Sequence, residues 1–271
     1  MHIVTVANKN DGYLNYLIES CKRNGGELEV LGWNQEWKGF MWKISLMIEY
    51  LNSLENDDIV CYVDGYDVII LQPVKKIETL FKKSGARILF SRDCTQDIIP
   101  FYDIINKNYF GTYKNYRINA GTFIGYVKDL KKLLNNICNK YDCNDKNLDD
   151  QIIFTKICNQ YNNNNIGIDI NREIFLVISD YDTNKNKIKI INNELVFNNN
   201  IKSCIFHGPG NYNFTHLLKK LNYDTCNIKQ RSFFNYLLIT TYLRTIIIII
   251  IVIVIITTLI IYLNSKKIKK N

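Results

Sequence analysis

The chain has 271 residues, 47% of them hydrophobic, and a formal net charge of +8 at pH 7. That length supports one large domain or two small ones. The basic balance does not mark a nucleic-acid surface: Lys229, Arg231, Arg244, Lys266, Lys267, Lys269 and Lys270 flank one apolar run, and the other 27 basic residues face 26 acidic ones.

Taken in chain order, Ile3 to Ala7 reads as a first strand and Tyr13, Leu14, Leu17, Ile18 and Cys21 give a helical face. Leu28 to Leu31 is a second strand, and Trp42 to Leu54 a second helix. Ile59 to Val63 follows as a strand apolar on both faces, completing a βαβαβ opening. Arg87 to Phe90 and Phe123 to Val127 read as further strands, and Asp129 to Lys140 and Asp149 to Tyr161 as further helices. An α/β sheet with a ligand at its carboxyl edge is the expected architecture. The Asn tracts at 162–165 and 198–200 read as polar loops.

Asp64-Gly65-Tyr66-Asp67 ends the central strand, where such a sheet binds its ligand. Three residues apart on a continued strand, Asp64 and Asp67 would point to opposite faces, but a turn at Gly65 lets both converge. Converging carboxylates repel unless a cation lies between them. Asn119-Ala120-Gly121-Thr122 precedes the strand from Phe123, and small residues there let backbone approach a ligand. In Asp149-Asp150-Gln151 one acid is expected to cap the following helix, leaving the other to bind sugar hydroxyls or take a proton from an acceptor. His207 ends a strand ahead of Gly208-Pro209-Gly210; its imidazole suits a third metal ligand, and the turn suits phosphate.

Thr245 to Leu263 carries no charge across 19 residues and reads as a transmembrane helix. The expected organisation is a domain over 1–228, a juxtamembrane linker over 229–244, a membrane helix over 245–263 and a basic tail over 264–271. Met1 to Ala7 reads as a strand rather than a signal peptide, which suits a cytosol-facing tail anchor. The positive-inside rule instead places the lysines in the cytosol and the domain on the other side. Lys267 and Lys269 fit a dilysine retrieval pattern, so a single-pass protein of the endoplasmic reticulum or a related endomembrane is expected, with the side open. The eight cysteines show no zinc spacing; Cys61 and Cys204 read as buried, and Cys138 with Cys143 suits a local disulfide if the domain is lumenal.

Six motifs, in order, carry a resemblance. They are Ile3 to Ala7, Glu36-Trp37-Lys38-Gly39, Asp64-Gly65-Tyr66-Asp67-Val68, Asn119 to Gly125, Asp149-Asp150-Gln151 and His207-Gly208-Pro209-Gly210. Over residues 1 to 223 the chain resembles the glycosyltransferase domain of the procollagen lysyl hydroxylase (PLOD) family. The resemblance implies a GT-A, Rossmann-like α/β fold with a mixed, mainly parallel sheet. It implies a hexosyltransferase that uses Mn²⁺, with Mg²⁺ second, to move glucose or galactose from UDP-glucose or UDP-galactose to hydroxylysine or galactosyl-hydroxylysine of collagen-like chains. Carried over, Asp64, Asp67 and His207 would ligate the metal. Tyr66, with Thr5 and Val6, would line the uridine site, Lys43 would contact phosphate, and Gly208 and Gly210 would admit the diphosphate. Asn119, Asp149 and Asp150 would face donor sugar and acceptor.

The chain departs from the family in two places. The stretch between Trp37 and Lys43 is shorter than the family's glycine-rich loop, and Ser91-Arg92-Asp93-Cys94-Thr95-Gln96 lacks the family's tryptophans. No iron-dependent dioxygenase is expected after residue 228, so lysine hydroxylation would come from elsewhere. Two alternatives stay open: a UDP-sugar transferase with a different acceptor, and a catalytically silent, membrane-tethered binding module.

Overall fold

The computed structural model describes residues 1–94, 100–161, 165–179, 182–210, 212–226, 228 and 241–268. Positions 95, 96, 162–164 and 229–240, which carry part of the departing motif, most of an Asn tract and most of the expected linker, lie outside them. The chain forms two compact units, Met1–Lys229 and Gln230–Asn271.

In the first unit the elements run β1 (His2–Val6), α1 (Leu14–Arg23), β2 (Leu28–Leu31), α2 (Trp42–Asn52), β3 (Ile59–Val63) and β4 (Val68–Ile70). They continue with α3 (Val74–Ser84), β5 (Ile88–Arg92), α4 (Pro100–Phe110), β6 (Ile118–Tyr126), α5 (Val127–Lys140) and α6 (Asp150–Tyr161). Then come β7 (Ile166–Asp169), β8 (Phe175–Val177), a 3₁₀ turn (Thr183–Lys187), β9 (Ile188–Ile191), β10 (Glu194–Phe197), β11 (Ile205–His207) and α7 (Thr215–Lys220).

The main sheet has the order β2-β1-β3-β6-β5-β7, and a smaller one the order β4-β11-β8. In the main sheet β6 runs antiparallel to both neighbours and the other pairings are parallel, the mixed, mainly parallel α/β arrangement expected. Both faces are buried because the strands alternate into two cores: Val60 and Tyr62 join Phe90, Phe123 and Phe154 on one side, and Cys61 and Val63 join Ile3, Leu89 and Ile124 on the other.

Two local expectations need correction. Asn119-Ala120-Gly121-Thr122 lies inside β6 rather than ahead of it, because pairing with β3 extends to Val63 opposite Thr122. A bulge between Phe90 and Ser91 then resets the pairing, placing Ser91 opposite Asn119. The Ser91 hydroxyl donates to the Thr122 carbonyl (2.9 Å) and Thr122 Oγ1 donates to Ser91 Oγ (2.7 Å), so the small polar residues are satisfied within the sheet. The second correction is the β9–β10 hairpin, not anticipated: Asn192 and Asn193 turn it at φ 50° and 59°, the left-handed pair that a two-residue hairpin needs.

Cys138 and Cys143 are disulfide-bonded, five residues apart at the end of α5. Closing so short a loop contributes about 2 kcal/mol by the chain-entropy relation. Cys138→Ser is expected to lower the free energy of urea unfolding by about that amount without altering turnover.

The second unit contains α8 (Thr241–Ile268). The expected span over 245–263 finds no support here: among the described residues no helix is long and apolar enough to cross a membrane. The side chains of α8 are described only over 248–262, short of the ~20 residues a span needs.

Candidate active site

The turn from Asp64 to Asp67 carries the chain from β3 in the main sheet to β4 in the small one. Asp64 N donates to the Gly121 carbonyl of β6 (2.8 Å), fixing the start of the turn. Gly65 passes close to β1: a Cβ there would lie 3.0 Å from both Thr5 Oγ1 and the Val6 carbonyl. β4 pairs antiparallel with β11, which sets His207 opposite Val68, and Gly208 N donates to the Asp67 carbonyl (2.8 Å). Residues more than 130 positions apart in the chain therefore meet where the two sheets adjoin.

Ligand atoms of Asp64, Asp67 and His207 all lie within 4.8 Å of one another. His207 Nε2 is 3.3 Å from Asp67 Oδ1 and 3.9 Å from Asp64 Oδ2. His207 is 2% exposed, yet neither ring nitrogen has a hydrogen-bond partner, and neither does Asp67 Oδ1. Buried polar atoms are almost always satisfied, so His207 Nε2 and Asp67 Oδ1, 3.3 Å apart and both without a hydrogen-bond partner, fit a bound cation. Two carboxylates and one imidazole form a donor set suited to a hard or borderline divalent ion.

The electrostatics agree. Burial opposes charge on His207, but Asp67 and then Asp64 outweigh it and raise its pKa. Burial likewise opposes the Asp64 carboxylate, and Lys43, followed by His207, more than compensates and lowers its pKa. Tyr62 donates its hydroxyl to Asp64 Oδ1 (2.9 Å) and stacks on Phe123. Burial and the Asp64 charge push that phenol's pKa well up, so it stays a donor.

Gly121 is a spatial requirement of this cluster. A Cβ on it would stand 2.4 Å from Asp64 Oδ2 and 2.4 Å from His207 Cε1.

Lys43 is buried and its ammonium contacts Asp150 Oδ2, Asp64 Oδ1 (3.5 Å) and the Ala120 carbonyl (3.1 Å). Burial works to lower its pKa, but Asp150 and Asp64 overcome that and raise it. Lys43, expected to contact phosphate, here ties α2 to β6 and α6. Lys43→Met leaves the buried Asp150 and the half-buried Asp64 without their cation and is expected to cost roughly 3 kcal/mol of stability, read by urea unfolding. A loss under about 1 kcal/mol would contradict the tie.

The two acids of Asp149-Asp150 separate as the sequence suggested. Asp149 Oδ1 accepts the Ile152 amide (3.0 Å) and caps α6, while Asp150 faces Lys43. Burial and the neighbouring Asp150 raise the pKa of Asp149. Asn119 is engaged on both sides: its oxygen accepts the Gly121 amide (3.0 Å) and its Nδ2 donates to Asp93 Oδ1 (3.3 Å). Asp93 also accepts from Gln151 Nε2 (3.4 Å) and lies 3.6 Å from the Arg117 guanidinium.

Thr5 and Val6 are buried, with Thr5 Oγ1 lacking a hydrogen-bond partner. The Tyr66 hydroxyl accepts from Asn8 N and donates to Asn8 Oδ1, both at 2.9 Å, shaping the loop after β1. Gly208 has its amide committed to Asp67 and its Cα side closed by Phe214 and Tyr212, so its amide is not free for phosphate; Gly210 adopts φ +71°.

Sequence reasoning missed Tyr62, Asp93, Arg117 and the spatial role of Gly121. Tyr62 was within reach: two residues before Asp64 on a strand, it shares that residue's face.

A family model for the PLOD GT domain matches residues 1–231. Procollagen-lysine,2-oxoglutarate 5-dioxygenase of Drosophila melanogaster is 34% identical over 166 residues, covering 57% of this chain and 22% of the relative. The multifunctional procollagen lysine hydroxylase and glycosyltransferase of Caenorhabditis elegans is 30% identical over 169 residues, covering 56% and 22%. Its human counterpart LH3 is 28% identical over 171 residues, covering 57% and 21%. The matched stretch thus spans about a fifth of these relatives. Among solved structures, the galactosyltransferase LgtC with donor and acceptor sugar analogues aligns at TM-score 0.45 and 15% identity over 83% of this chain and 98% of that one. A glycosyltransferase involved in glycosylation of the PBCV-1 major capsid aligns at 0.46 and 10% identity over 76% and 91%. Likeness at that level carries no functional information.

Proposed function

The chain belongs to the family of PLOD GT domains, and from that premise we propose a GT-A hexosyltransferase that moves glucose or galactose from a UDP-sugar to hydroxylysine or galactosyl-hydroxylysine of a collagen-like chain. The observation that carries this reading is the convergence of Asp64, Asp67 and His207, with buried nitrogens and a carboxylate oxygen left unsatisfied.

In this reading those three side chains hold Mn²⁺, or Mg²⁺ in its place. The ion supplies Lewis-acid stabilisation of the charge developing on the departing diphosphate. Tyr62 orients Asp64 by its hydrogen bond, and Lys43 contacts Asp64 and Asp150 and favours the ionised form of Asp64. Asp150, adjacent to the cluster through Lys43, is placed to orient donor or acceptor hydroxyls. Asp149 acts through α6, which it caps, rather than on the sugar.

We place the domain on the lumenal side of an endoplasmic reticulum or related membrane, anchored through 245–263. The ground for the anchor is the uncharged, isoleucine-rich run in the sequence. The disulfide between Cys138 and Cys143 and the lysines after the run support the side. Resistance of the protein to alkaline carbonate extraction from membranes is the expected result, and release into the soluble fraction would remove the anchor.

The deciding experiment measures UDP release by the full chain in detergent with UDP-glucose and UDP-galactose, with and without Mn²⁺ and a hydroxylysine peptide. Metal-dependent release stimulated by the peptide supports the reading. Metal-dependent release that ignores the peptide retains the transferase and rejects the acceptor, and no release with either donor rejects both.

A further inference from the structure

Beside the site just described lies an open cleft of about 620 Å³ lined by Arg92 at the end of β5, Arg172 in the turn between β7 and β8, and Lys187 ahead of β9. Among the described residues that line it, Glu173 is the one carboxylate, and Phe197 forms part of the wall. Among the described residues, none of the three cations makes an ion pair or donates a side-chain hydrogen bond.

Arg172 is the unusual member. It is 5% exposed, and a nearly buried arginine without a carboxylate is costly. Its backbone sits at φ +59°, in the left-handed region that non-glycine residues seldom occupy. The conformation is imposed from below: Asp169 Oδ2 accepts the amides of Ile174 (2.7 Å) and Phe175 (2.8 Å), and Oδ1 that of Glu173 (3.1 Å). The Arg172 carbonyl accepts from the Ser203 hydroxyl, and its guanidinium lies over the Phe197 ring at 5.1 Å. Burial lowers its pKa; Asp182 acts in the opposite direction without pairing with it, and Arg92 adds to the lowering. A strained backbone, rigidly supported, therefore presents a guanidinium that forms no ion pair among the described residues, with a second one acting on it, and such strain concentrates where ligands bind.

We propose that this cleft is an acceptor subsite that binds a carboxylate of the acceptor peptide, an Asp or Glu side chain flanking the glycosylated residue. The proposal rests on the hexosyltransferase reading for its acceptor, but the cleft's charge does not. Guanidinium groups match carboxylates in a planar, two-bond geometry. Glu173 on the same wall favours a singly charged carboxylate over a more highly charged phosphate. Asp93 links the two regions: it holds Asn119 of β6, and its charge acts on both His207 and Arg172. The proposal therefore has a peptide with its reacting side chain at the Asp64/Asp67/His207 cluster lay a flanking residue in the cleft.

The test is direct binding, followed by fluorescence anisotropy, of a labelled hydroxylysine peptide with flanking Asp and Glu and of its Asn and Gln counterpart, to the full chain in detergent. Loss of a charge-assisted contact is worth roughly tenfold to a hundredfold in affinity. The acidic peptide is expected to bind tighter by about that factor, and Arg92→Gln and Lys187→Gln, which alter residues less buried than Arg172, to erase the preference. Equal binding of the two peptides, or a preference that survives both substitutions, overturns the subsite. Displacement of the acidic peptide by a uronate oligosaccharide or by inorganic phosphate, but not by free acidic peptide, overturns the peptide carboxylate as occupant. UDP release without peptide, measured on the same variants, is expected to stay at the wild-type rate. Absence of UDP release in the unsubstituted protein both with and without peptide would reject the transferase reading, while the binding comparison still decides the cleft.

Discussion

Asp67→Ala is expected to abolish metal-dependent UDP-sugar turnover while leaving the domain folded. The substitution removes one of three converging ligand groups, and the lost charge stabilisation is worth several kcal/mol in the transition state, or about 10³-fold or more in rate. Stability should barely change, by about 1 kcal/mol or less, because the Asp67 oxygen facing the cluster accepts no hydrogen bond that the mutation could break. Paired measurements make the result specific: Mn²⁺ affinity by titration calorimetry should fall with turnover, and the unfolding midpoint should hold. Retention of full metal-dependent activity would remove Asp67 from the ligand set.

Gly121→Ala is expected to produce nearly the same loss from a single methyl group. The Cβ would sit 2.4 Å from Asp64 Oδ2 and 2.4 Å from His207 Cε1, about 1 Å inside ordinary contact distances. Neither neighbour can yield cheaply: Asp64 is held by Tyr62 and Lys43, and His207 is buried in β11. The backbone at Gly121 is not in the left-handed region, so the penalty is steric, and overpacking of this kind costs roughly 1–3 kcal/mol. Turnover and Mn²⁺ affinity should both collapse while far-ultraviolet circular dichroism stays unchanged. Activity within about threefold of the parent would show that Asp64 and His207 rearrange without consequence.

The open basic cleft would also give the acceptor reading a means of selectivity. As the proposed subsite, Arg92, Arg172 and Lys187 would impose a charge preference on a peptide.

The sequence by itself determined the alternating elements that build the main sheet and the chemistry of its central turn. Runs such as Ile59 to Val63 have no polar face, so burial on both sides is forced by composition. The Asp-Gly-Tyr-Asp turn and the histidine of β11 were legible because each ends an apolar strand, where polar groups must have a reason to sit. The Asp149 cap was half legible, since either acid could have served until the start of α6 was fixed. Tertiary structure decided what depends on atoms brought together from afar. Lys43 was assigned to phosphate from its place in a motif, yet its distance to Asp150 follows from packing α2 and α6 on the same face of the sheet. Gly121 read as standing ahead of the strand from Phe123, because Asn, Ala and Gly are weak strand formers and only pairing with β3 and β5 extends β6 through it. The left-handed Arg172 left no local trace at all. Its conformation is fixed by Asp169 and Ser203 through hydrogen bonds, and a sequence states which groups exist but not which of them will meet.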